Sequence, residues 1–172
     1  MRSSSWLTAL SVLCLVCLFA CKEKPPETHA NILLILADQW RGQATGYAGD
    51  GNVKTPNIDK LAAISAELGN AGSGLPVCTP YRASLMPGQR PLTNGVFMND
   101  VMLDTSALTL AEVLAENGYQ TGLIGKWHLD GQYRLKYTPP GPRRQGFQYW
   151  KAVNCDHQYN HSVYYFNGDT TL

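Results

Sequence analysis

NILLILAD, residues 31–38, decides how the rest of this chain is read. The run from Asn31 to Ala37 lacks the polar alternation of a half-exposed strand, so it predicts a short strand covered on both faces, as in a parallel sheet. It stops at Asp38. In open α/β sheets, ligands sit beyond the carboxyl ends of strands, which makes Asp38 the first candidate for chemistry. A loop cap is its plainer alternative role.

Downstream, residues 42–51 are Gly-rich and read as a loop. Thr55 and Pro56 predict a helix start, with a hydroxyl at the N-cap and proline at the first helical position. Ile58, Leu61, Ser65 and Leu68 keep one stripe, and Gly69 ends it. After a loop over 70–77, a short helix runs from Pro80 until Pro87 and Gly88 break it. Thr109 and Glu112 have capping-box spacing, and the helix they open ends near Asn117 and Gly118. Residues 119–125 (YQTGLIG) predict a second buried strand that delivers Lys126, Trp127 and His128. Residues 131–144 read as loop, and the remainder to Leu172 has no clear period. Strand, helices, strand is α/β grammar. Two core strands are fewer than such a sheet usually holds, so the chain reads as the N-terminal part of a larger domain.

The 172 residues suit one domain, and 44% hydrophobic with 16% charged residues is ordinary for a globular protein. Lys plus Arg number 14 against 13 for Asp plus Glu, so no broad basic field is available to hold a nucleic-acid backbone, and no nucleic-acid partner is expected. Residues 6–20 (WLTALSVLCLVCLFA) form an apolar run shorter than the ~20 residues of a membrane span, and fit the h-region of a secretory signal. Its end, Leu18-Phe19-Ala20-Cys21, resembles the lipobox of bacterial lipoproteins. That implies lipidation of Cys21, export to the periplasm or outer membrane surface, and a membrane held through the lipid. An uncleaved anchor helix and a plain signal peptide are the alternatives. The expected organisation is a signal segment over 1–20, a polar, proline-bearing tether over 21–30 and a catalytic domain part over 31–172. Cys14 and Cys17 would be discarded, so Cys78 and Cys155 could form at most one disulfide.

Residues 78–88, CTPYRASLMPG, are the most informative. Thr79 as N-cap and Pro80 as first helical residue put Cys78 just outside a helix N-terminus, where free N–H groups and the dipole favour an anion. Arg82, four residues on, projects from the first turn toward the same place and can hold an oxyanion with two parallel hydrogen bonds. Spacing alone allows either a nucleophile facing a sulfate- or phosphate-like group or a buried structural cysteine beside a surface arginine.

This segment resembles the sulfatase signature, Cys-x-Pro-x-Arg followed by Ala-Ser-Leu and a Gly, in a superfamily that includes alkaline phosphatase. The resemblance implies an alkaline phosphatase-like α/β fold, a parallel-sheet sandwich of which this chain supplies the N-terminal part only. It implies that a dedicated maturation enzyme oxidises Cys78 to formylglycine, whose hydrate attacks sulfur and whose second hydroxyl then expels sulfate. Arg82 would hold the formylglycine. Residues 31–39 (NILLILADQ) resemble the family's first strand, which ends in acidic metal ligands. Asp38 and Gln39, with the modified Cys78, would then bind Ca²⁺ (Mg²⁺ is possible). Gln39 stands where many members have a second Asp, and an amide oxygen can also ligate Ca²⁺.

Residues 125–129 (GKWHL) resemble the family's Gly-Lys-Trp-His-Leu-Gly, with Asp130 replacing the final Gly. Lys126 and His128 share a face if the backbone stays extended, and by resemblance would contact sulfate and the formylglycine hydroxyl. In the tail, His157 and His161 with Asp156 read as a zinc site if helical, as substrate contacts, or as a polar loop. Later metal ligands and a leaving-group acid cannot be placed here. The expected activity is hydrolysis of sulfate esters, on sulfated carbohydrates. A phosphonate or phosphate monoester hydrolase of the same superfamily and an inactive truncated lipoprotein are the alternatives.

Overall fold

The computed structural model describes residues 29–158 and 160–167. The expected signal segment, the expected lipidation site at Cys21 and most of the expected tether lie outside the described residues. The chain divides into two compact units, Met1–Ala37 and Asp38–Leu172.

In the first unit the apolar run over 31–37 forms no strand. Ile32, Leu33, Leu34 and Ile35 are exposed. The expectation of a doubly covered strand is therefore corrected for this structure. A strand exists only through a neighbour that takes its N–H and C=O groups, and among the described residues none pairs with it.

The second unit contains α1 (Pro56–Ala62), α2 (Cys78–Leu85), α3 (Pro91–Asn94), α4 (Leu110–Glu116), β1 (Gly122–Lys126), a 3₁₀ turn (Pro142–Arg144), β2 (Tyr149–Val153) and β3 (Tyr165–Phe166). Helix α1 starts as expected but ends at Ala62, well before Gly69. Ile58, Leu61, Ile64 and Leu68 are exposed, so no packing sustains further turns. The Thr55 hydroxyl does not cap it. It accepts from Gly46 N–H (2.7 Å) and donates to Asp59 Oδ1 (2.8 Å), tying the Gly-rich loop to the helix.

The capping box at α4 forms as its spacing predicts: Thr109 N–H donates to Glu112 Oε2 (2.8 Å), and Thr109 Oγ1 accepts from Glu112 N–H (3.4 Å). The same hydroxyl reaches Gln145 O (2.9 Å). Gly146 lies so close to this helix start that a Cβ there would sit 2.5 Å from Glu112 N, at φ +85°. Only glycine fits.

The sheet has the order β1-β2-β3. β1 and β2 pair in parallel, from Gly122 with Tyr149 to Lys126 with Val153, and Trp127 N–H extends the ladder to Val153 O (2.8 Å). β3 joins antiparallel, so the sheet is mixed where a parallel one was expected. Neither β2 nor β3 stood out in the sequence, because strands of five and two residues are too short to show a period.

The core gathers Ala83 of α2, Met86 at its C-cap, Val96, Leu103, Trp127, Leu129, and Trp150 and Ala152 of β2. Trp127 meets Trp150 edge to face, with ring centroids 5.6 Å apart, and meets Phe147 the same way at 5.8 Å. Arg144 lies over the Trp150 ring, its Cζ 4.8 Å from the centroid. One core thus anchors both α2 and the end of β1. We expect Trp150→Ala to cost about 3–5 kcal/mol in urea unfolding. A loss under about 1 kcal/mol would show that the ring is not a core element.

Candidate active site

Cys78 occupies the first turn of α2 and is half-buried. The helix begins two residues earlier than predicted: Val77, in extended conformation, takes the N-cap position, and Cys78 is inside. Thr79 has another task. Its N–H donates to Asn99 Oδ1 (2.9 Å) and its hydroxyl accepts from Asp100 N–H (3.2 Å), which latches the loop at 99–100 to the first turn of α2.

Asp38 stands opposite. Its Oδ1 is 3.9 Å from Cys78 Sγ, and its Oδ2 receives Arg82 Nη2 (2.8 Å) and Lys126 Nζ (3.2 Å). Arg82 uses its other terminal nitrogen to donate to Lys126 O (2.7 Å), so one guanidinium joins α2, Asp38 and the end of β1. Asp38, Cys78, Arg82 and Lys126, spread over 89 positions of sequence, are brought together as expected. Gln39 is exposed and meets Asp38 through its backbone N–H (3.0 Å).

The electrostatics follow from this cluster. Burial pushes the Asp38 carboxyl up, but the hydrogen bond from Arg82, the charge of Lys126 and the further contacts of both together outweigh it and hold it at about 2. Asp38 is a carboxylate at any working pH. Burial lowers the Lys126 ammonium, and the negative charges available at Cys155, Asp38 and Cys78 reverse this, leaving its pKa raised above 10.5. Lys126 stays cationic. Burial likewise raises the Cys155 thiol, against the charges of Lys126 and Arg134. The site therefore presents two cations on one oxygen of a carboxylate whose other oxygen faces the Cys78 sulfur.

His128 does not reach this place by strand alternation. β1 ends at Lys126, Trp127 turns into the core, and His128 adopts φ +57°, so the extended backbone needed for a shared face is lost. The ring is almost fully buried. Its Nε2 lies 2.9 Å from Asp100 Oδ1, and Arg134 grips the same carboxylate with Nε (3.0 Å) and Nη2 (2.7 Å). Asp100 and Arg134 were missed in the sequence reading. The only signal was Asn99-Asp100, a dipeptide suited to the left-handed turn that Asp100 makes at φ +65°.

In the tail, the condition for a zinc site is not met. Residues 155–158 and 160–161 are not helical, so His157 and His161 are not set one turn apart. His157 Nε2 lies 3.6 Å from Cys155 Sγ instead, and among the described residues no three acidic, His or Cys groups gather to hold a metal. A divalent cation needs about six oxygen ligands. Asp38 supplies one carboxylate beside Cys78, so the donors described here fit one edge of such an ion and do not complete its shell.

The family model described as Sulfatase matches residues 30–170. The chain is 49% identical over 177 aligned residues to an ulvan-active sulfatase from Formosa agariphila, covering 97% of this chain and 34% of that protein. Among solved structures, a candidate sulfatase from Bacteroides fragilis superposes with a TM-score of 0.69 at 34% identity, over 78% of this chain and 33% of that one. Another, solved in complex with its substrate D-glucosamine-2-N,6-O-disulfate, gives 0.54 at 29% identity, over 63% and 20%. The chain spans about a quarter to a third of the length of the curated relatives it matches. Its fold is the alkaline phosphatase-like α/β architecture of these neighbours, represented here by a small part of the sheet. A cysteine on the first turn of a helix, faced by an arginine, a lysine and an aspartate, and a family match over residues 30–170 lead to one assignment: this chain belongs to the sulfatase family.

Proposed function

We propose that this chain supplies the nucleophile side of a sulfate-ester hydrolase that acts on sulfated carbohydrates, with Cys78 as the precursor of a formylglycine. The observation that carries the reading is the placement of Cys78 Sγ 3.9 Å from Asp38 Oδ1, with Arg82 and Lys126 both on Asp38 Oδ2. The sulfur atom marks where the two hydroxyl oxygens of a hydrated formylglycine would sit. When bound, a divalent cation supplies Lewis acidity and lowers the pKa of such a hydroxyl. The chain's own residues do the rest. Asp38 provides one carboxylate of the cation site. Arg82 and Lys126 hold positive charge where sulfate oxygens gain charge, and need no reorganisation to do so.

Carbohydrate is favoured as the substrate class by the ulvan-active relative and by the neighbour solved with a glucosamine disulfate. The proposed partners are a formylglycine-generating maturation enzyme and, through a lipid on Cys21, a membrane on the exported side of the cell. The test is release of inorganic sulfate from ulvan and from 4-nitrophenyl sulfate by protein co-expressed with the maturation enzyme. We expect sulfate release from both, and faster from the polysaccharide. Turnover of 4-nitrophenyl phosphonate with no sulfate released would refute the assignment.

A further inference from the structure

We infer that Asp100 is the positioning residue for His128. It fixes the imidazole as the Nε2–H tautomer and leaves Nδ1 as a bare acceptor for a hydroxyl proton at residue 78. This rests on the sulfate-ester reading above and adds the group that sets the proton acceptor.

The contacts around Asp100 are selective. A carboxylate clamped by the two-pronged guanidinium of Arg134 has no proton to give, so the 2.9 Å contact to His128 Nε2 runs from N–H to carboxylate. The other ring nitrogen is then unprotonated. Nδ1 is buried and, among the described residues, has no hydrogen-bond partner. A buried acceptor left bare is costly, and such exceptions cluster where a ligand group completes the bond.

Backbone strain is spent on the same arrangement. Asp100 and His128 both sit in the left-handed region, at φ +65° and +57°, which is unfavourable for a non-glycine residue. The loop that carries Asp100 is pinned through Asn99 Oδ1 and Asp100 N–H to Thr79, next to Cys78, while Arg82 Nη1 holds Lys126 O two residues before His128. The imidazole and the nucleophile's helix turn are thus fixed to each other by three hydrogen bonds.

The charged groups acting on the ring are Asp100, Lys126 and Arg134. Burial depresses the His128 pKa, the Asp100 carboxylate partly restores it, and Lys126 and Arg134 oppose that restoration. The ring is therefore neutral and ready to accept at neutral pH. In the transfer, a hydroxyl at residue 78 loses its proton to Nδ1 as its oxygen forms the carbonyl and the sulfate oxygen departs with the bonding pair. His128 becomes a cation stabilised by Asp100, and later loses the proton to water.

Asp100→Asn is the test, because asparagine tolerates the left-handed backbone while its NH₂ end must face either Arg134 or His128. Loss of the carboxylate partner of a histidine base by this route gives the wrong tautomer. We expect kcat for sulfate release to fall about tenfold to a hundredfold with KM within about twofold. The acidic limb of the kcat profile should move to lower pH, since the variant loses the charge that raises the His128 pKa. Formylglycine content at residue 78 should match the parent, which separates this effect from failed maturation. The tautomer is read without turnover, from ¹⁵N shifts of the His128 ring assigned against His128→Gln. A protonated Nε2 in the parent, replaced by protonated Nδ1 or a mixture in Asp100→Asn, supports the inference. A protonated Nδ1 in the parent, or unchanged kcat and pH profile in the variant, overturns it whether or not the sulfatase reading stands.

Discussion

Cys78→Ala is expected to abolish sulfate release, by on the order of 10⁴-fold or more, as for removal of a covalent nucleophile elsewhere. The substitution is sterically mild. Cys78 is half-buried, lies outside the Trp127–Trp150 core, and among the described residues its sulfur has the long contact to Asp38. Alanine is also a good residue for the first turn of α2. Folding should therefore survive, and the urea midpoint should stay close to that of the parent. Full activity in Cys78→Ala would mean that another group attacks sulfur.

The second large effect is expected from Arg82→Lys, which keeps the charge. Arg82 bonds Asp38 with one terminal nitrogen and Lys126 O with the other, in a geometry that needs a planar fork. An ammonium on a flexible stem can satisfy only one of them. The carbonyl of Lys126 is then left without its donor, and Asp38 and Lys126 lose the tie that sets their spacing. Loss of one preorganised donor typically costs ~3 kcal/mol in the transition state, roughly a hundredfold in rate. We expect that loss in kcat/KM, measured as sulfate release. A change under about threefold would show that positive charge alone, and not the fork, is what the site requires.

The candidate site was more legible than the fold. Cys78, Arg82, Asp38 and Lys126 announce themselves through local motifs, and the structure gathers them because α2 and β1 share one core. The exact helix start was not legible: whether Thr79 caps α2 or the loop at 99–100 depends on a contact 20 residues away. The same holds for Asp100 and Arg134, which acquire meaning only when His128 leaves the strand with positive φ. Local text cannot announce that turn, because a GKWHL string is equally compatible with an extended chain. Residues 31–37 show the opposite failure. Their apolar pattern is that of a buried strand, yet a strand is a property of a pair, and no described residue supplies the partner. Helix α4, by contrast, was legible to its first residue because its cap is built from residues three apart.

Mass spectrometry of the tryptic peptide spanning residues 61–82, from cells that contain the maturation enzyme, reaches the central claim most directly. The account predicts the mass of an aldehyde, or its hydrate, in place of the thiol at residue 78. An intact cysteine there, in protein that releases sulfate, would contradict it.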